Sequence, residues 1–444
     1  MHTLAGKIGL AVGAYWQARQ AIRRQYHADA IRETRNAKLQ KLVRHSFDNV
    51  KYYRELFHRA GLTPEEIRTT EDLQRLPILT KAELRGRFWE FLPARVPPAR
   101  ATRTSGSTGV PVCIFSDASS RKHNSAAVIR FRRAVGIPLI GRPILSPLKT
   151  EDDPPKAPHW TFVQGIHKTY YVNPYDPSPT NFEHAGALLE HLKQPALIGI
   201  TPAVRRLAER VSDDAWPNCR PSAIITIGET LSPSARNLIE SAFGTRITDL
   251  YACAEAGDVA WECPLHHGYH INADNCIVEI VKDDEPVCEG QVGEVVITNL
   301  NRYVMPLLRY KNGDLARLGP ERCPCGRQLP MLAEIIGRSG EDMVLPDGKK
   351  VPWNQLKSLM THQQIRQFQL IQQADGSLAV QYVPERQADT KQIEDLLGYR
   401  YRNLLGPSVP IRIEATSSIP PAPTGKSKLV VSHYDPDRSL SAHA

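Results

Sequence analysis

Three short apolar runs limit what this chain can become: Ala196-Leu197-Ile198-Gly199-Ile200, Ala223-Ile224-Ile225-Thr226-Ile227 and Ile247-Thr248-Asp249-Leu250-Tyr251. They carry little apolar-polar alternation, and helix-patterned sequence fills the intervals between them from residue 120 to 245. Strands of that kind are buried on both faces, which requires crossover helices on either side of a parallel sheet. The sequence therefore predicts an α/β fold whose ligand-binding loops follow the strand ends. Two runs end in polar, glycine-bearing loops, Gly228-Glu229-Thr230 and Ala252-Cys253-Ala254-Glu255-Ala256-Gly257. At 444 residues and 41% hydrophobic, the chain exceeds one ordinary domain. A large N-terminal domain over residues 1–336, a break at 337–342 and a small α/β domain over 343–444 follow from the pattern.

Arg103-Thr104-Ser105-Gly106-Ser107-Thr108-Gly109-Val110-Pro111 buries little surface and needs another reason to exist. Its glycines let the backbone approach an anion, and its four hydroxyls supply donors and a contact for magnesium. A Walker P-loop would place Lys-Ser/Thr after the last glycine, where Val110-Pro111 stands. On residue type alone a Ser/Gly-rich hairpin or linker remains the alternative.

Positive charge is concentrated at the front, where residues 1–100 hold 19 Lys/Arg against 10 Asp/Glu. A helical, basic region of this kind suits an anionic surface. No helix-turn-helix, RNP or finger pattern accompanies it, so nucleic acid is not expected as a partner, and peripheral membrane contact stays open. Lys7 interrupts the apolar stretch from Leu4 to Trp16, and no small-residue cleavage site follows, so neither a signal peptide nor a membrane span is expected. Eight cysteines between residues 113 and 325, without a small-domain framework, suit a reducing cytoplasm.

From 275 to 318 the texture is that of a β-meander ending in Arg309-Tyr310-Lys311-Asn312-Gly313-Asp314. Asp314 suits the paired hydroxyls of a ribose, and Asn-Gly-Asp equally suits a hairpin tip. Near the C-terminus, Pro423-Thr424-Gly425-Lys426-Ser427-Lys428 presents a lysine on a Pro/Gly segment.

Taken in order, Thr104-Ser105-Gly106-Ser107-Thr108-Gly109, Gly228-Glu229, Tyr251 with Glu255, Glu262-Cys263, Arg309-Tyr310 with Gly313-Asp314, Cys323-Pro324-Cys325-Gly326, Gly337-Arg338 with Asp342, and Gly425-Lys426 resemble the adenylate-forming superfamily. Within it they are most similar to the phenylacetate-CoA ligase-like, or CapK-like, branch. The resemblance runs over nearly the whole chain. It implies a large adenylation domain with parallel and mixed sheets, and a small mobile C-terminal domain rotating about 337–342. The implied reaction uses ATP: a carboxylate displaces pyrophosphate to give an acyl-adenylate, and a thiol then displaces AMP.

The same resemblance assigns roles. Thr104 to Gly109 hold phosphates, Thr108 and Glu255 position Mg2+, Gly228 and Glu229 border the adenine, and Tyr251 stacks near it. Asp314 binds the ribose with help from Arg338, and Lys426 approaches the α-phosphate. Val110 stands where many relatives carry lysine, and Lys428 where tails often carry arginine. The implied substrate is an aromatic or related small carboxylic acid, and the acceptor is CoA or an acyl carrier protein. Transfer to an amine or hydroxyl is a second reading, and a noncatalytic nucleotide-binding or polysaccharide-assembly partner of this fold a third. Trp160, Tyr170 and Tyr171 fit an acid pocket or an ordinary core.

Cys263, His266, His267, His270, Cys323 and Cys325 offer thiols and imidazoles in the numbers tetrahedral zinc needs. The branch's structural zinc, carried by some members between these segments, raises the expectation of a Cys263, His266, Cys323, Cys325 site. His267 and His270 compete for the histidine position.

Overall fold

The basic front of the chain forms three helices, α1 (Leu4–Arg24), α2 (Ala28–Asn49) and α3 (Lys51–Ala60). This computed structural model describes residues 4–103, 112–147, 159–161, 164–172, 179–212, 219–338, 343–351, 356, 359–360, 364–386, 388–420 and 430–434. One-turn helices α4 (Thr70–Leu73) and α5 (Lys81–Gly86) are capped by the side chains of Thr69 and Thr80. α4 stays a single turn, and Leu76-Pro77 follows shortly after it. α6 (Ala118–Ala134) starts on an Asp117 cap and packs against α1 through Ala14, Ala18, Ala126 and Ile129, where small side chains let the two helices approach closely.

A short hairpin, β1 (Arg100–Arg103) and β2 (Cys113–Ser116), precedes α6. Then come β3 (Ile144–Ser146), β4 (His159–Thr161), β5 (His167–Tyr171), α7 (Pro179–His191), β6 (Ala196–Ile200), α8 (Thr201–Ser212), β7 (Ala223–Ile227), α9 (Pro233–Phe243) and β8 (Ile247–Cys253). The antiparallel part follows as β9 (Gly257–Glu262), β10 (Tyr269–Ile271), β11 (Cys276–Lys282), β12 (Glu285–Pro286), β13 (Val292–Asn299), β14 (Tyr310–Leu318) and β15 (Met331–Arg338). All but β1 and β2 join one 13-stranded mixed sheet in the order β12-β11-β13-β14-β15-β10-β9-β8-β7-β6-β3-β5-β4.

The three apolar runs are its parallel strands β6, β7 and β8. Leu197, Ile224 and Ile247 pack on one face against Leu189, Val204, Leu207 and Phe243 of α7, α8 and α9. Ile198, Ile225 and Leu250 pack on the other against Phe131 of α6 and Ile31 of α2. Continuous apolarity is thus explained by two covered faces. β8 then reverses into β9, so a strand paired in parallel on one edge is antiparallel on the other.

A second core secures the segment before β14. The Tyr53 hydroxyl donates to Pro306 O and accepts from Leu308 N, at 3.1 and 2.8 Å, while Tyr52, Phe57 and Phe91 pack around it. Arg309 is buried with φ +49 and forms an ion pair with buried Glu279 at 3.0 Å. Its guanidinium also donates to Gln74 O and Leu76 O, which ties the short helices to the start of β14.

By internal contacts the chain divides into two units, Met1–Leu231 with Leu238–Ile335, and Ser232–Asn237 with Ile336–Ala444. The second holds a β16 (Met343–Val344) and β17 (Lys350–Val351) hairpin, and a four-stranded sheet ordered β20-β19-β18-β21. These are β18 (Ile365–Gln372), β19 (Leu378–Pro384), β20 (Ile411–Ala415) and β21 (Val430–Ser432), with α10 (Thr390–Leu405) burying Ile393, Leu397 and Tyr401 against them. Among the described residues no helix is long and apolar enough to cross a membrane.

Candidate active site

Asp314 lies inside β14 and is not a hairpin tip. Opposite it the β13–β14 register slips between Glu294 and Val296, so that Val295 faces Asn312, Gly313 and Asp314. Gly313 adopts φ +79 within this bulge, a conformation that favours glycine. The slip brings Asn312 and Asp314 together: Asn312 Nδ2 donates to Asp314 Oδ2 at 2.7 Å, and Asp314 N donates to Asn312 Oδ1 at 3.0 Å. Tyr251 on β8 completes the group, donating its hydroxyl to Asp314 Oδ2 at 2.6 Å and accepting from Asn312 Nδ2 at 2.8 Å. Burial, then the adjoining Asp314 carboxylate, raise the Tyr251 hydroxyl well above the usual phenol range, so it remains a donor. Tyr251 was expected as an adenine neighbour; its ring is buried among Ala256, Val259 and Ile280, and its hydroxyl is committed to Asp314.

Glu255 occupies the turn that reverses β8 into β9 and is itself buried. Gly257 closes the turn at φ +75, and an added Cβ would stand 2.2 Å from Asn124 Oδ1, which accepts from Asp258 N. Three side chains grip the turn by its carbonyls. Arg302 donates to Glu255 O and, at 3.1 Å, to Ala254 O. Asn299 and Asn275 donate to Ala256 O at 2.8 and 3.4 Å. Burial pulls the Arg302 guanidinium down to about 10, while Cys253, Glu255 and Asp117 oppose the shift. Sequence reading missed Arg302, Asn299, Asn275 and Asn312. Its available signal was the polar run Asn299-Leu300-Asn301-Arg302, which breaks the apolar Val295-Val296-Ile297 strand.

Gly228 terminates β7 at φ +89, and Glu229 O accepts from Thr201 Oγ1 at 3.0 Å. Glu229 follows β7 and Thr201 follows β6, so this bond joins the carboxyl ends of neighbouring parallel strands. Arg338 is the last residue of β15, after Gly337 at φ +113. Thr104, Ser105, Gly106, Ser107, Thr108, Gly109 and Lys426 lie outside the described residues, as do 339–342 of the expected hinge. Of the aromatic pocket candidates, Tyr170 packs at the margin of the α7–α8 core.

The thiol cluster requires one correction. Cys263, His270, Cys323 and Cys325 place one ligand atom each within 4.8 Å of one another. His266 is not in the set: it sits at φ +56 in the β9–β10 turn, and its Nδ1 lies 3.0 Å from Glu262 Oε1. His270, paired with Trp261 and Met331 in the sheet, instead brings Nε2 to 3.2 Å from Cys325 Sγ. Burial, then Arg327 and Arg130, depress its imidazole to about 4, which keeps it neutral and able to ligate. Cys263 Sγ and Cys323 Sγ are 3.5 Å apart. Donors at about 2.3 Å from a tetrahedral zinc stand roughly 3.7 Å from one another, so the set fits. Hydrogen bonds from Leu265 N to Cys263 Sγ and Arg327 Nη1 to Cys325 Sγ, both 3.4 Å, suit thiolates.

Residues 343–433 match the CapK C-terminal domain family. A phenylacetate-coenzyme A ligase of Thermus thermophilus is 28% identical over 365 residues, covering 79% of this chain and 80% of that protein. Protein CapK of Staphylococcus aureus is 22% identical and extends the match to 98% of this chain and 96% of its own length. Over most of its length the chain is similar to phenylacetate-coenzyme A ligases and to CapK, which supports the CapK-like branch of the adenylate-forming superfamily. The fold agrees: a 2-hydroxyisobutyryl-CoA ligase, solved in the postadenylation state in complex with R3-HIB-AMP, superposes with TM-score 0.71 at 18% identity, covering 95% and 93% of the two chains. In this chain the Glu255 turn, and Tyr251 through which β8 reaches Asp314, fall where the mixed sheet changes from parallel to antiparallel pairing.

Proposed function

We propose that the protein is an ATP-dependent, AMP-forming acid–thiol ligase, acting on an aromatic or related small carboxylic acid with CoA as acceptor. The observation that carries this reading is the buried Tyr251–Asn312–Asp314 group beside the strand that delivers Glu255. Asp314, its carboxylate already oriented by two donors, accepts from the ribose hydroxyls. Glu255, with Thr108, would hold Mg2+, which when bound would supply positive charge against the phosphates. The acid's carboxylate oxygen attacks the α-phosphorus and the bond to pyrophosphate breaks; Lys426 stabilises the charge that develops. In the second step the CoA sulfur attacks the acyl carbonyl and AMP leaves with the bonding pair. One relative named above is a phenylacetate-coenzyme A ligase, which supports CoA and an aromatic acid. Zinc held by Cys263, His270, Cys323 and Cys325 would be structural, since four protein ligands leave no open position.

The test is carboxylate-dependent pyrophosphate release over aryl, aliphatic and amino acids, with and without CoA. Release with one acid class, and thioester only when CoA is present, is the expected result. Absence of release from every acid, with ATP still bound, would overturn the ligase reading.

A further inference from the structure

A cavity of about 140 Å3 lies between α1, α2 and α6, lined by Gln17, Gln20, Arg24, Lys38 and His123 together with Asp274. Its charges do not balance. Lys38 Nζ donates to Asp274 O at 2.5 Å, and Arg24 and Arg130 approach the Asp274 carboxylate at 3.4 and 2.9 Å. Arg24 and Lys38 are the cations that line the cavity; Arg130 and Lys122 stand behind the lining and act on Lys38 from there, the Lys122 stem crossing α1 at Gly13, where a Cβ would stand 2.9 Å from Lys122 Cδ. Asp274 is the one carboxylate among them. His123 adds no charge: its Nδ1 pairs with Ser119 O at 2.9 Å, its Nε2 with Gln17 Nε2 at 3.0 Å, and burial and Lys38 depress it to about 4. Lys38 itself is drawn down to about 8 by burial, with Asp274 opposing and Arg24, Arg130 and Lys122 reinforcing the shift. Among the described residues, Arg24 Nε and Gln17 Oε1 are buried without a hydrogen-bond partner.

Partly buried cations in excess are destabilising to a degree that an accompanying anion relieves. The volume is close to that of a cavity able to admit a benzene-sized guest, about 150 Å3, so it has room for a phosphate with a few attached atoms. Its rim adds a second feature. Trp16 lines the cavity and is 61% exposed, and Val12, Tyr15, Arg19 and Arg23 continue an exposed stripe along the same helix. Aromatic and arginine side chains on one face of a surface helix anchor at the headgroup layer of an anionic membrane.

We propose that the cavity between α1, α2 and α6 binds the phosphate group of an anionic amphiphile, with α1 lying on the membrane that presents it. A soluble phosphorylated compound shares this chemistry, so the experiment has two arms. In the first, inorganic phosphate replaces chloride at constant ionic strength, and the melting temperature of the full chain is read. A rise of a few degrees is expected in the wild type and in Trp16→Ser, and none in Lys38→Met. In the second, cosedimentation is measured with phosphatidylcholine vesicles with and without phosphatidylglycerol. Binding that needs phosphatidylglycerol is expected, falling more than tenfold in Lys38→Met and also in Trp16→Ser. One lysine acting only by surface attraction contributes roughly fivefold, so a loss of that size or less in Lys38→Met would overturn the cavity's role. A phosphate response without vesicle binding would keep the phosphate site and overturn the membrane source. No phosphate response in the wild type, a measurement that needs no variant, would overturn the proposal whatever Lys38→Met does to folding.

Discussion

Tyr251→Phe removes a single hydroxyl from the buried group around Asp314 while leaving the ring in the core. The hydroxyl makes a 2.6 Å hydrogen bond to Asp314 Oδ2 and accepts one of 2.8 Å from Asn312 Nδ2. A hydrogen bond to a charged group contributes about 1.5–3 kcal/mol net. Asn312 Nδ2 keeps its 2.7 Å bond to Asp314, so the lower half of that range applies, about 2 kcal/mol. The loss appears first in unfolding, as a lower urea midpoint followed by fluorescence. It also appears in nucleotide binding, because Asp314 loses one of the donors that hold its rotamer. One to two kcal/mol corresponds to roughly a 5- to 30-fold rise in the KM for ATP, with kcat changed less because the ribose is remote from the reacting phosphorus. Pyrophosphate release at varied ATP reads this directly. The Tyr251 hydroxyl is raised well above its usual range by burial and by Asp314, so the effect should be the same from pH 6 to 9. A stability loss with unchanged ATP dependence would refute the ribose role of Asp314, and no change in either would refute the strength assigned to the group.

Arg302→Met removes both hydrogen bonds to the carbonyls of Ala254 and Glu255; kcat should fall by about 100-fold, the equivalent of roughly 3 kcal/mol, with partial recovery in Arg302→Lys and a small change in the KM for ATP. Protein purified without chelator should hold about one zinc per chain, lost in His270→Ala and kept in His266→Ala, as read by metal analysis; the reverse pattern would refute the assigned ligand set. Asp258 is raised to about 6 by burial, with Arg132 opposing. Its folded-state proton is held more tightly than in the unfolded chain, so its ionisation destabilises the fold above pH 6, and the loss is relieved as pH falls toward 4. Asp258→Asn should therefore gain up to about 3 kcal/mol over wild type at pH 7.5 and much less at pH 4.5; parallel urea midpoints at the two pH values would contradict this.

The parallel half of the fold was legible because burial on both faces writes itself into sequence as unbroken apolarity, as at Ile224-Ile225 and Leu197-Ile198. Asp314 was legible as a candidate but not its setting. Whether Asn-Gly-Asp turns a hairpin or bulges inside a strand depends on the partner strand's register, which Val295 decides from across the sheet. Spacing could not select the histidine beside the thiols, since His266, His267 and His270 are close in sequence. Strand pairing points His270 at Cys325, while the β9–β10 turn hands His266 to Glu262. The carbonyl clamp was hidden for a different reason: Asn275, Asn299 and Arg302 act on main-chain atoms, and no residue type at 254–256 announces them.

That clamp separates shape from identity. Because Arg302, Asn299 and Asn275 hold the carbonyl oxygens of Ala254, Glu255 and Ala256, the path of the turn is fixed by atoms every amino acid possesses. On the proposed role of Glu255, a change of side chain there should silence the chemistry while the loop keeps its course. Glu255→Gln is thus the natural template for an inert form of the protein that still folds around its ligands, and captured acids could be identified by eluting them from it.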